Sequence, residues 1–381
     1  MGRFRGVELD ELRLHGERLE LRPWGSEDAC RVAEVMQDRS MHRFLALPDP
    51  YTEADAAHFV GEMTRSPRAE GSGLECAVVE RSNGQVVGSA ALRLAGDPEI
   101  GYWIAPDAQG NGYAAEATLM MAEWAFGVGL PRVRLACDVR NLASARSALA
   151  AGFQFEGVAR NGVSSHGIGT VPERRADLAR FARLASDPPG RLAYAFPPLD
   201  GLSLDEGELE GAGLQLRPVR GDDAASLAET DDELTLRWNF TGAAQPAEEV
   251  RREAERAGLD WLVGSVAIFA MVDLASGRVA GSVRLRKAGP PQVGGIGYVV
   301  HPDFRGRGYT ARALRLLVPW AFEVADFARL ELGAKVGNEA SAHAAAAAGF
   351  HPDGVRQARL RNADGSFSDE VRFALINPKY A

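Results

Sequence analysis

The apolar and polar positions of the chain predict the same order of structural elements twice. Short apolar runs predict strands, and apolar residues at helical spacing predict helices. The first half reads as strand 19–21, helices 26–37 and 52–63, strands 75–80, 86–94 and 99–104, helix 114–127, strand 133–139, helix 143–150 and a closing strand. The second half reads as strand 214–216, helical segments, strands 268–273, 279–286 and 296–300, helix 310–324, strand 329–336, helix 340–348 and strand 370–376.

The repeat extends to individual residues, which keep both their order and their spacing. Leu-x-Leu-Arg-Pro begins at 19 and again at 214, and Ile-Gly-Tyr followed by Pro-Asp and Gly-x-Gly-Tyr begins at 100 and again at 296. Asn-x-x-Ser at 141 and Gly-Phe at 152 recur 197 positions later. Because a period near 200 residues has the size of a domain, the sequence indicates a duplicated domain.

Two proline pairs divide the halves, at 188–189 and 197–198. We therefore predict a first domain at 1–185, a proline-rich linker at 186–201 and a second domain at 202–381. Leu202 and Leu204 match Val7 and Leu9 by position, which predicts a leading strand in the second domain.

Composition narrows the class of protein. The chain has 381 residues and a net charge of −9, and this acidity argues against nucleic acid as a partner. We see neither a secretory signal nor an apolar run long enough for a membrane span, so we expect a cytoplasmic protein that contacts no membrane. The cysteines at 30, 76 and 137 are unclustered, and we expect them to be reduced and buried. Whether the protein is a monomer or a dimer stays open.

The glycine-rich loops carry the chemical signal. Each lies between a predicted strand and a predicted helix, where unpaired N–H groups and glycines can hold a phosphate. The second copy, 305–310, adds Arg305 and Arg307 where the first copy, 109–114, has Gln109 and Asn111. One such loop alone fits an ordinary turn equally well, but the duplication favours two anion sites.

These residues resemble the GNAT superfamily of acyl-CoA N-acyltransferases. The resemblance lies in the Gln/Arg-x-x-Gly-x-Ala/Gly loop between strand and helix, in Asn-x-x-Ser and in Gly-Phe, and it covers roughly 7–183 and 202–378. The opening Arg-Leu-x-Leu-Arg-Pro and the Ile-Gly-Tyr-Trp-Ile segment resemble its ribosomal-protein N-terminal acetyltransferase (RimJ/RimL-like) branch.

The resemblance implies an α/β (α+β) fold of two tandem GNAT domains. Each would have a mixed, mostly antiparallel central sheet flanked by helices, with a splayed parallel strand pair. It implies acetyl-CoA, or another acyl-CoA, as co-substrate and no metal. The implied cofactor-binding residues are Ile104, Ala105, Gln109, Gly110, Asn111, Gly112, Tyr113, Ala114 and Asn141, and then Val300, His301, Arg305, Gly306, Arg307, Gly308, Tyr309, Thr310 and Asn338.

The catalytic residues of the family are only partly present. Many members carry a tyrosine where this chain has Ala148 and Ala345. The ribosomal-protein branch instead implies Ser144 and Ser341 near the thiol, with a plain helix cap as the alternative role.

The general base of that branch has no match, since the aligned positions are Val163 and Leu360. Glu99 is the remaining candidate, although it also fits an exposed charge at a strand end, and its counterpart is Gly295.

A missing base favours an acceptor amine of low pKa, because an α-amine near ~8 is partly neutral whereas a lysine near ~10.4 is not. We therefore expect transfer of an acyl group, foremost acetyl, to an amine-bearing small molecule or a peptide N-terminus. Direct attack is expected because no Cys or Ser lies in a nucleophile–base motif. Two alternatives stay open: a biosynthetic enzyme with a longer acyl-CoA or an acyl-carrier-protein donor, and a CoA-binding protein with one or both domains degenerate.

The two halves are predicted to be unequal. The first half keeps Glu99 and Ala114 and is expected to hold the more ordinary CoA site. In the second half, the alanine-rich run 344–348 fits either a wide cleft or a packing face. We expect Trp238, Trp261 and Phe269 in the second core and structural or surface roles for His301, His343 and His351. The segment 161–172 is a candidate acceptor loop.

Overall fold

A computed structural model describes residues 3–94, 96–165, 173–197, 202–204 and 213–381. The chain divides into two compact units, Met1–Ala193 (unit 1) and Tyr194–Ala381 (unit 2), whose border falls inside the predicted linker. The predicted domain limits themselves stay a prediction. Of the candidate acceptor loop 161–172, residues 166–172 lie outside the described residues.

Unit 1 alternates strands and helices in the predicted order. Its elements are β1 (Arg3–Phe4), β2 (Val7–Glu8), β3 (Leu14–His15), β4 (Leu19–Arg22), α1 (Ala29–Met36), α2 (Glu53–His58), α3 (Thr64–Glu70), β5 (Gly73–Glu80), β6 (Val86–Arg93), β7 (Glu99–Ile104), α4 (Tyr113–Gly127), β8 (Arg132–Asp138), α5 (Leu142–Ala150), β9 (Gln154–Ser165) and β10 (Arg174–Leu184).

The sheet of unit 1 has eight strands in the order β3-β4-β5-β6-β7-β8-β10-β9, and β1 pairs separately with β2. Neighbours in this sheet are antiparallel except β7 and β8, which are parallel. Leu19 and Leu21 of β4 are fully buried while their neighbours are partly exposed, the alternation expected of a strand with one face on the core.

Unit 2 repeats this plan. Its elements are β11 (Leu202–Leu204), β12 (Leu214–Pro218), α6 (Ala224–Ala228), α7 (Glu233–Trp238), α8 (Ala247–Val263), β13 (Ala267–Asp273), β14 (Val279–Ala288), β15 (Val293–Val300), α9 (Tyr309–Glu323), β16 (Arg329–Lys335), α10 (Glu339–Ala347), β17 (His351–Arg361) and β18 (Phe367–Ile376).

The sheet of unit 2 has the matching order β11-β12-β13-β14-β15-β16-β18-β17. Its one parallel pair among the described strands is β15 with β16. The predicted leading strand is confirmed, since β11 pairs with β12. The fold class is confirmed as well: two mixed, mostly antiparallel sheets flanked by helices, each with one parallel pair.

The core of unit 2 gathers aromatic rings beneath α9. Trp261 packs edge-on against Phe269 with ring centroids 5.0 Å apart, and Trp320 lies 5.6 Å from Trp261. The expectation of a core position is confirmed for Trp261 and Phe269. Trp238 is only half-buried, and it lies in the wall of a cavity described below.

The repeated Leu-Arg-Pro motif has a structural role. Arg22 donates two hydrogen bonds to Asp28 at 2.7 and 2.9 Å, and Arg217 donates two to Asp223, both at 2.7 Å. Both carboxylates are buried. The arginine at the end of the first long strand thereby holds the turn that leads into the next helix.

One helix differs between the units in a way that affects the site. Between α2 and α3 the chain makes a π-helical turn, Phe59–Met63, whereas α8 is a continuous α-helix. The helical segment of unit 1, from its cap Thr52 to its final glycine Gly71, is one residue longer than that of unit 2, from Pro246 to Gly264. A π-turn accommodates such an extra residue within a helix.

Candidate active site

The parallel strands of each unit separate where the glycine loop begins. β7 pairs with β8 only at Glu99 with Arg134 and at Ile100 with Leu135. In unit 2 the pairing of β15 with β16 ends at Ile296 with Leu332. Beyond these positions the described strands diverge, which leaves a gap between them, as predicted.

The glycine loops have the shape of an anion site. Gly110 and Gly112 have φ of +82° and +77°, and Gly306 and Gly308 both have φ of +72°. The helices α4 and α9 begin directly after these loops without a side-chain cap, so N–H groups of their first turn remain for a ligand. A β-carbon placed on Gly306 or Gly308 would meet no atom within 4 Å. The loops therefore fit a pyrophosphate.

Tyr113 and Tyr309 anchor the first helical turn from below. The Tyr113 hydroxyl donates to Glu80 at 2.8 Å, and that of Tyr309 donates to Asp273 at 2.8 Å. Both side chains are buried. Tyr113 and Tyr309 are predicted cofactor-binding residues, but only their backbone N–H groups are placed to meet a ligand. The backbone N–H groups of Ala114 and Thr310, the next residues, are placed in the same way.

The first residue of each loop bonds back to the preceding strand. Gln109 Nε2 donates to the carbonyl of Ile104 at 3.1 Å, and Arg305 Nε donates to that of Val300 at 3.2 Å. Arg305 also holds both carboxylate oxygens of Asp232, at 2.6 and 2.8 Å. This guanidinium lowers the pKa of Asp232 well below its ordinary value. The positive charge of Arg305 is therefore partly neutralised by the carboxylate of Asp232.

Ala105 and His301 use their backbone N–H groups in pairing with the neighbouring strand, at 2.9 Å to Val87 and 2.8 Å to Ala280. His301 is buried, and its Nδ1 accepts from the N–H of Asp303 at 3.2 Å. This burial and hydrogen bond fit a structural role for His301, which stays a prediction.

Asn141 and Asn338 cap the helices α5 and α10. Their side-chain oxygens accept from the N–H of Ser144 at 3.1 Å and from the N–H of Ser341 at 3.2 Å. The asparagine is therefore the helix cap, and the alternative role of the serine as the cap is wrong.

The serine hydroxyls meet two tyrosines. Tyr102 Oη lies 2.9 Å from Ser144 Oγ, and Tyr298 Oη lies 2.6 Å from Ser341 Oγ. Burial raises the pKa of Tyr102 to about 12, although its hydrogen bond with Ser144 opposes the shift, and burial also raises that of Tyr298. Each tyrosine is therefore neutral near pH 7, and either hydroxyl of each Tyr–Ser pair can be the donor.

The sequence interpretation missed these tyrosines. Both belong to the repeated Ile-Gly-Tyr, so the signal was present. Nothing in that repeat showed, however, that the tyrosine of the strand would meet a serine 42 residues later in unit 1.

Glu99 does not lie beside Ser144. Its carboxylate accepts from Arg93 at 3.1 Å and pairs with Arg134 at 3.1 Å. It begins β7, roughly 16 Å along the strand from Ile104, and alternation places it on the face opposite Tyr102. An amine could reach this carboxylate only by displacing an arginine.

Glu75 on β5 is a second carboxylate on that face. Burial raises its pKa, while Ser89 Oγ donates to it at 2.7 Å. The strand register aligns Glu75 with Ala91 and Ala91 with Gly101 of β7. Its counterpart in unit 2, by the same register, is Ile268.

Unit 2 contains a cavity of about 820 Å³. It extends from the glycine loop past Tyr298 and Ser341 to the opposite face of the sheet. There it widens into a chamber, which we call the α7–α8 chamber, lined by Val219, Leu227, Leu234, Trp238, Phe240, Val250, Glu253, Ala254, Ile268, Ser282, Arg284 and Val299. Ala344 and Ala347 also line the cavity, which supports the cleft interpretation of the alanine-rich run.

Aromatic rings occupy the corresponding face of unit 1. Trp24 stacks on Trp103 with ring centroids 6.1 Å apart and packs edge-on against Phe59 at 5.3 Å. By the repeat, the counterparts of Trp24 and Trp103 are Val219 and Val299.

Several sequence predictions concern groups away from this site. Among the described residues, no three or more His, Cys, Asp or Glu side chains are grouped as metal ligands. None of the described helices is long and apolar enough to cross a membrane. Cys76 and Cys137 are buried, but Cys30 is exposed, so the expectation of burial is wrong for Cys30.

The splayed strands, the uncapped glycine loops and the Tyr–Ser pairs define an acyl-CoA-dependent N-acyltransferase fold. The family model described as an acetyltransferase (GNAT) domain matches residues 18–154 and 214–351, so the chain belongs to the GNAT acetyltransferase family, with two domains in tandem. Proteins of this family use acetyl-CoA.

Curated relatives point to the same family. An "Uncharacterized N-acetyltransferase p20" of Bacillus licheniformis is 25% identical over 39% of this chain and 85% of its own length. A "Probable N-acetyltransferase YjcK" of Bacillus subtilis is 25% identical over 50% of this chain and 96% of its own.

Among solved structures, a ribosomal-protein-S5-alanine acetyltransferase from Vibrio fischeri is 21% identical. It aligns with a TM-score of 0.41, over 45% of this chain and 98% of its own.

Proposed function

We propose that this chain transfers an acyl group, foremost acetyl, from coenzyme A to a primary amine of low pKa. The observation that supports this most strongly is the continuous cavity of unit 2. It joins the glycine loop, the Tyr298–Ser341 pair and an apolar chamber, and so offers room for donor and acceptor on either side of one gap.

The donor would be held mainly by backbone groups. The N–H groups of 110–114 and 306–310 would meet the pyrophosphate, and the divergent strands would admit the pantetheine arm. The bound thioester supplies the activated acyl carbon. Arg307, whose guanidinium lies over the Phe304 ring at 5.6 Å, adds a positive charge to the second loop.

The chemistry assigned to this chain's residues is proton transfer and positioning. The acceptor nitrogen attacks the acyl carbon, so a C–N bond forms and the C–S bond breaks. The departing sulfur takes a proton from Ser341 Oγ or Ser144 Oγ, and the adjoining tyrosine hydroxyl returns one to the serine. An amine of low pKa arrives neutral and, after attack, loses its proton to solvent, from which the tyrosine regains the proton that it gave to the serine.

Acceptor pKa is tested by comparing α-amines with lysine side chains at neutral pH. We expect faster release of free CoA with α-amines, because a larger fraction of them is neutral. Faster release with lysine side chains would refute a low-pKa acceptor.

The donor sites are tested one at a time with Gly112→Trp and Gly308→Trp. Each places a bulky side chain where the pyrophosphate would lie. Free-thiol release is measured with acetyl-CoA and longer acyl-CoAs over a panel of amines, and CoA binding is measured by calorimetry. We expect each substitution to abolish CoA binding by its own unit, and at least one to abolish turnover.

Matched controls are Gly84→Trp and Gly277→Trp in the hairpin turns. These glycines have similar positive φ values, +73° and +68°, with open space around them, but lie outside the loops. They should keep CoA binding. Full CoA binding by both loop variants would refute the donor site, and CoA binding without turnover on any amine would favour the degenerate, CoA-binding alternative.

A further inference from the structure

We infer that the α7–α8 chamber of unit 2 selects small primary amines with an uncharged, apolar body that carries one hydrogen-bonding group, which is recognised by Ser282. This inference rests on the proposed function. On the corresponding face of unit 1, Trp24 packs against Trp103 and Phe59.

The chamber lies where unit 2 has non-aromatic side chains at positions that carry aromatic rings in unit 1. Val219 and Val299 stand where unit 1 has the stacked Trp24 and Trp103. Counted from the helix starts, Glu253 of α8 stands where unit 1 has Phe59, the third ring of that cluster. The sheets of the two units have the same strand order. The space that the rings take up in unit 1 is therefore left as a cavity in unit 2.

Ser282 supplies an unsatisfied polar atom in this wall. It is 1% exposed, and its Oγ has no hydrogen-bond partner among the described residues. Its counterpart Ser89 bonds to Glu75, whereas in unit 2 Ile268 occupies the position of Glu75. Buried hydroxyls are ordinarily paired. A polar group on the bound acceptor is the partner that the chamber leaves room for.

The two charged residues of the chamber, Glu253 and Arg284, neutralise each other, whereas Asp231, which also lines the cavity, accepts from the N–H of Gln245 at 2.7 Å. Arg284 donates to both carboxylate oxygens of Glu253, at 2.7 and 2.9 Å. A bidentate pair of this kind presents little net charge to a ligand. A second charge on the acceptor would therefore lose its hydration without gaining a partner, which favours an uncharged body.

The outer wall of the chamber is α7, and both its ends are anchored. Asp232, its N-cap, is bonded by Arg305 of the glycine loop, and Lys335 Nζ donates to the carbonyl of Arg237 in its last turn at 3.0 Å. Lys335 is buried, and this burial lowers its pKa. A wall fixed at both ends keeps the chamber bounded. The whole cavity of unit 2, about 820 Å³, would hold the donor arm and the acceptor together. A space of this size suits a small-molecule acceptor rather than a polypeptide.

The test restores the tryptophans of unit 1 in unit 2, as Val219→Trp and Val299→Trp in the full chain. The matched control is Val324→Trp, because Val324 is 53% exposed and lies outside the chamber lining. The probes are amines whose pKa is lowered by two fluorine atoms on the β-carbon, namely a β,β-difluorinated phenethylamine, the same phenethylamine with a ring hydroxyl, and 2,2-difluoroethylamine, together with a short peptide with a free N-terminus. Binding to the CoA-loaded protein is followed by calorimetry, and turnover by thiol release.

We expect either chamber substitution to weaken binding of both phenethylamines at least ~10-fold, while CoA binding changes less than about 3-fold. Retained CoA binding also shows that the variant has folded. Val324→Trp should change neither. Ser282→Ala should remove the preference for the hydroxylated amine over its parent, because the chamber then lacks the group that recognises the hydroxyl.

Three results would overturn the inference. The first is unchanged amine binding by both chamber variants that still bind CoA. The second is a preference for the peptide over the apolar amines. The third is a gain of turnover with acyl length that Val299→Trp removes, which would assign the chamber to the acyl chain. Amine binding without turnover would instead refute the proposed function and leave the assignment of the chamber standing.

Discussion

The two units share a donor side and differ on the acceptor side. Both have the uncapped glycine loop, the anchoring tyrosine beneath it and the Tyr–Ser pair at the gap. On the opposite sheet face, unit 1 has a cluster of three aromatic rings, whereas unit 2 has a chamber with an ion pair and an unpaired serine. After duplication, the part that would hold a common donor kept its form, and the part that would meet a particular acceptor changed.

The donor loops also show how one contact was kept by different residues. In unit 1, Arg18 Nη1 donates to the carbonyl of Asn111 at 2.9 Å and is held by Glu116. In unit 2 the position of Arg18 is Gly213, and Arg312 stands where Glu116 would be. Arg312 Nη2 donates to the matching carbonyl of Arg307 at 3.2 Å. The loop geometry was retained, although the arginine moved from the region before β4 to the helix.

The largest loss of stability is expected at the Arg–Asp pair that both units contain. Asp28→Ala and Asp223→Ala each remove a buried carboxylate from a partly buried arginine, which costs about 3 kcal/mol in the free energy of unfolding. Urea unfolding monitored by circular dichroism measures it. The exposed Glu34→Ala should cost under about 1 kcal/mol. Costs that differ between the two aspartates would show that the scaffolds, too, have diverged.

A smaller effect is expected at the gap, and it would show which unit performs the reaction. Ser341→Ala and Ser144→Ala should lower kcat about 100-fold in a unit that turns over, with KM little changed, because the proton for the thiolate is lost. Tyr298→Phe and Tyr102→Phe should lower it about 10-fold, since each acts through the serine.

Ser72→Ala is the matched control for the gap variants, because its hydroxyl donates to the carbonyl of Pro67 at 3.4 Å, between α3 and β5. An unchanged kcat in both Ser→Ala variants, measured on an active enzyme, would remove the serines from the mechanism.

The relocated arginine gives a still smaller effect. Arg18→Ala and Arg312→Ala should each raise the Kd for CoA of their own unit about 10-fold, because the loop carbonyl loses a charged donor. Arg315→Ala is the control in unit 2, since this arginine bonds to the carbonyl of Ala347 on an exposed surface. Equal effects from Arg312→Ala and Arg315→Ala would contradict the role assigned to the loop contact.

The smallest effect concerns the Arg305–Asp232 ion pair of unit 2, since unit 1 has Gln109 at the position of Arg305. Asp232→Asn should lower stability by no more than about 1 kcal/mol near pH 7, since the pair is partly exposed. Arg305 lowers the pKa of Asp232 from 3.8, so the stabilisation is complete above that value and is lost as the pH falls through the lowered pKa. The difference between wild type and variant should therefore shrink below about pH 4 in acid titrations of unfolding. A constant difference down to pH 2 would refute the pair.

The local features of this protein could be predicted from its sequence. The order of strands and helices follows from hydrophobic spacing, and the duplication follows from residues that keep their intervals. The glycine loops were recognisable because a chain that turns from strand to helix at positive φ needs glycine at set positions. Each of these signals can be recognised along the chain itself, so no tertiary contact was needed to find it.

Only the tertiary structure decided which side chains meet. Tyr102 reaches Ser144 and Arg305 reaches Asp232 across the fold, whereas Glu99, the predicted base, faces away from the serine. One position along a strand exchanges the two faces of a sheet, and strand register is set by packing rather than by local sequence. Valine and tryptophan both count as apolar in a hydrophobic pattern. Whether the acceptor-side face of a sheet is filled by rings or encloses a cavity therefore depended on the side-chain volumes that the fold brings together.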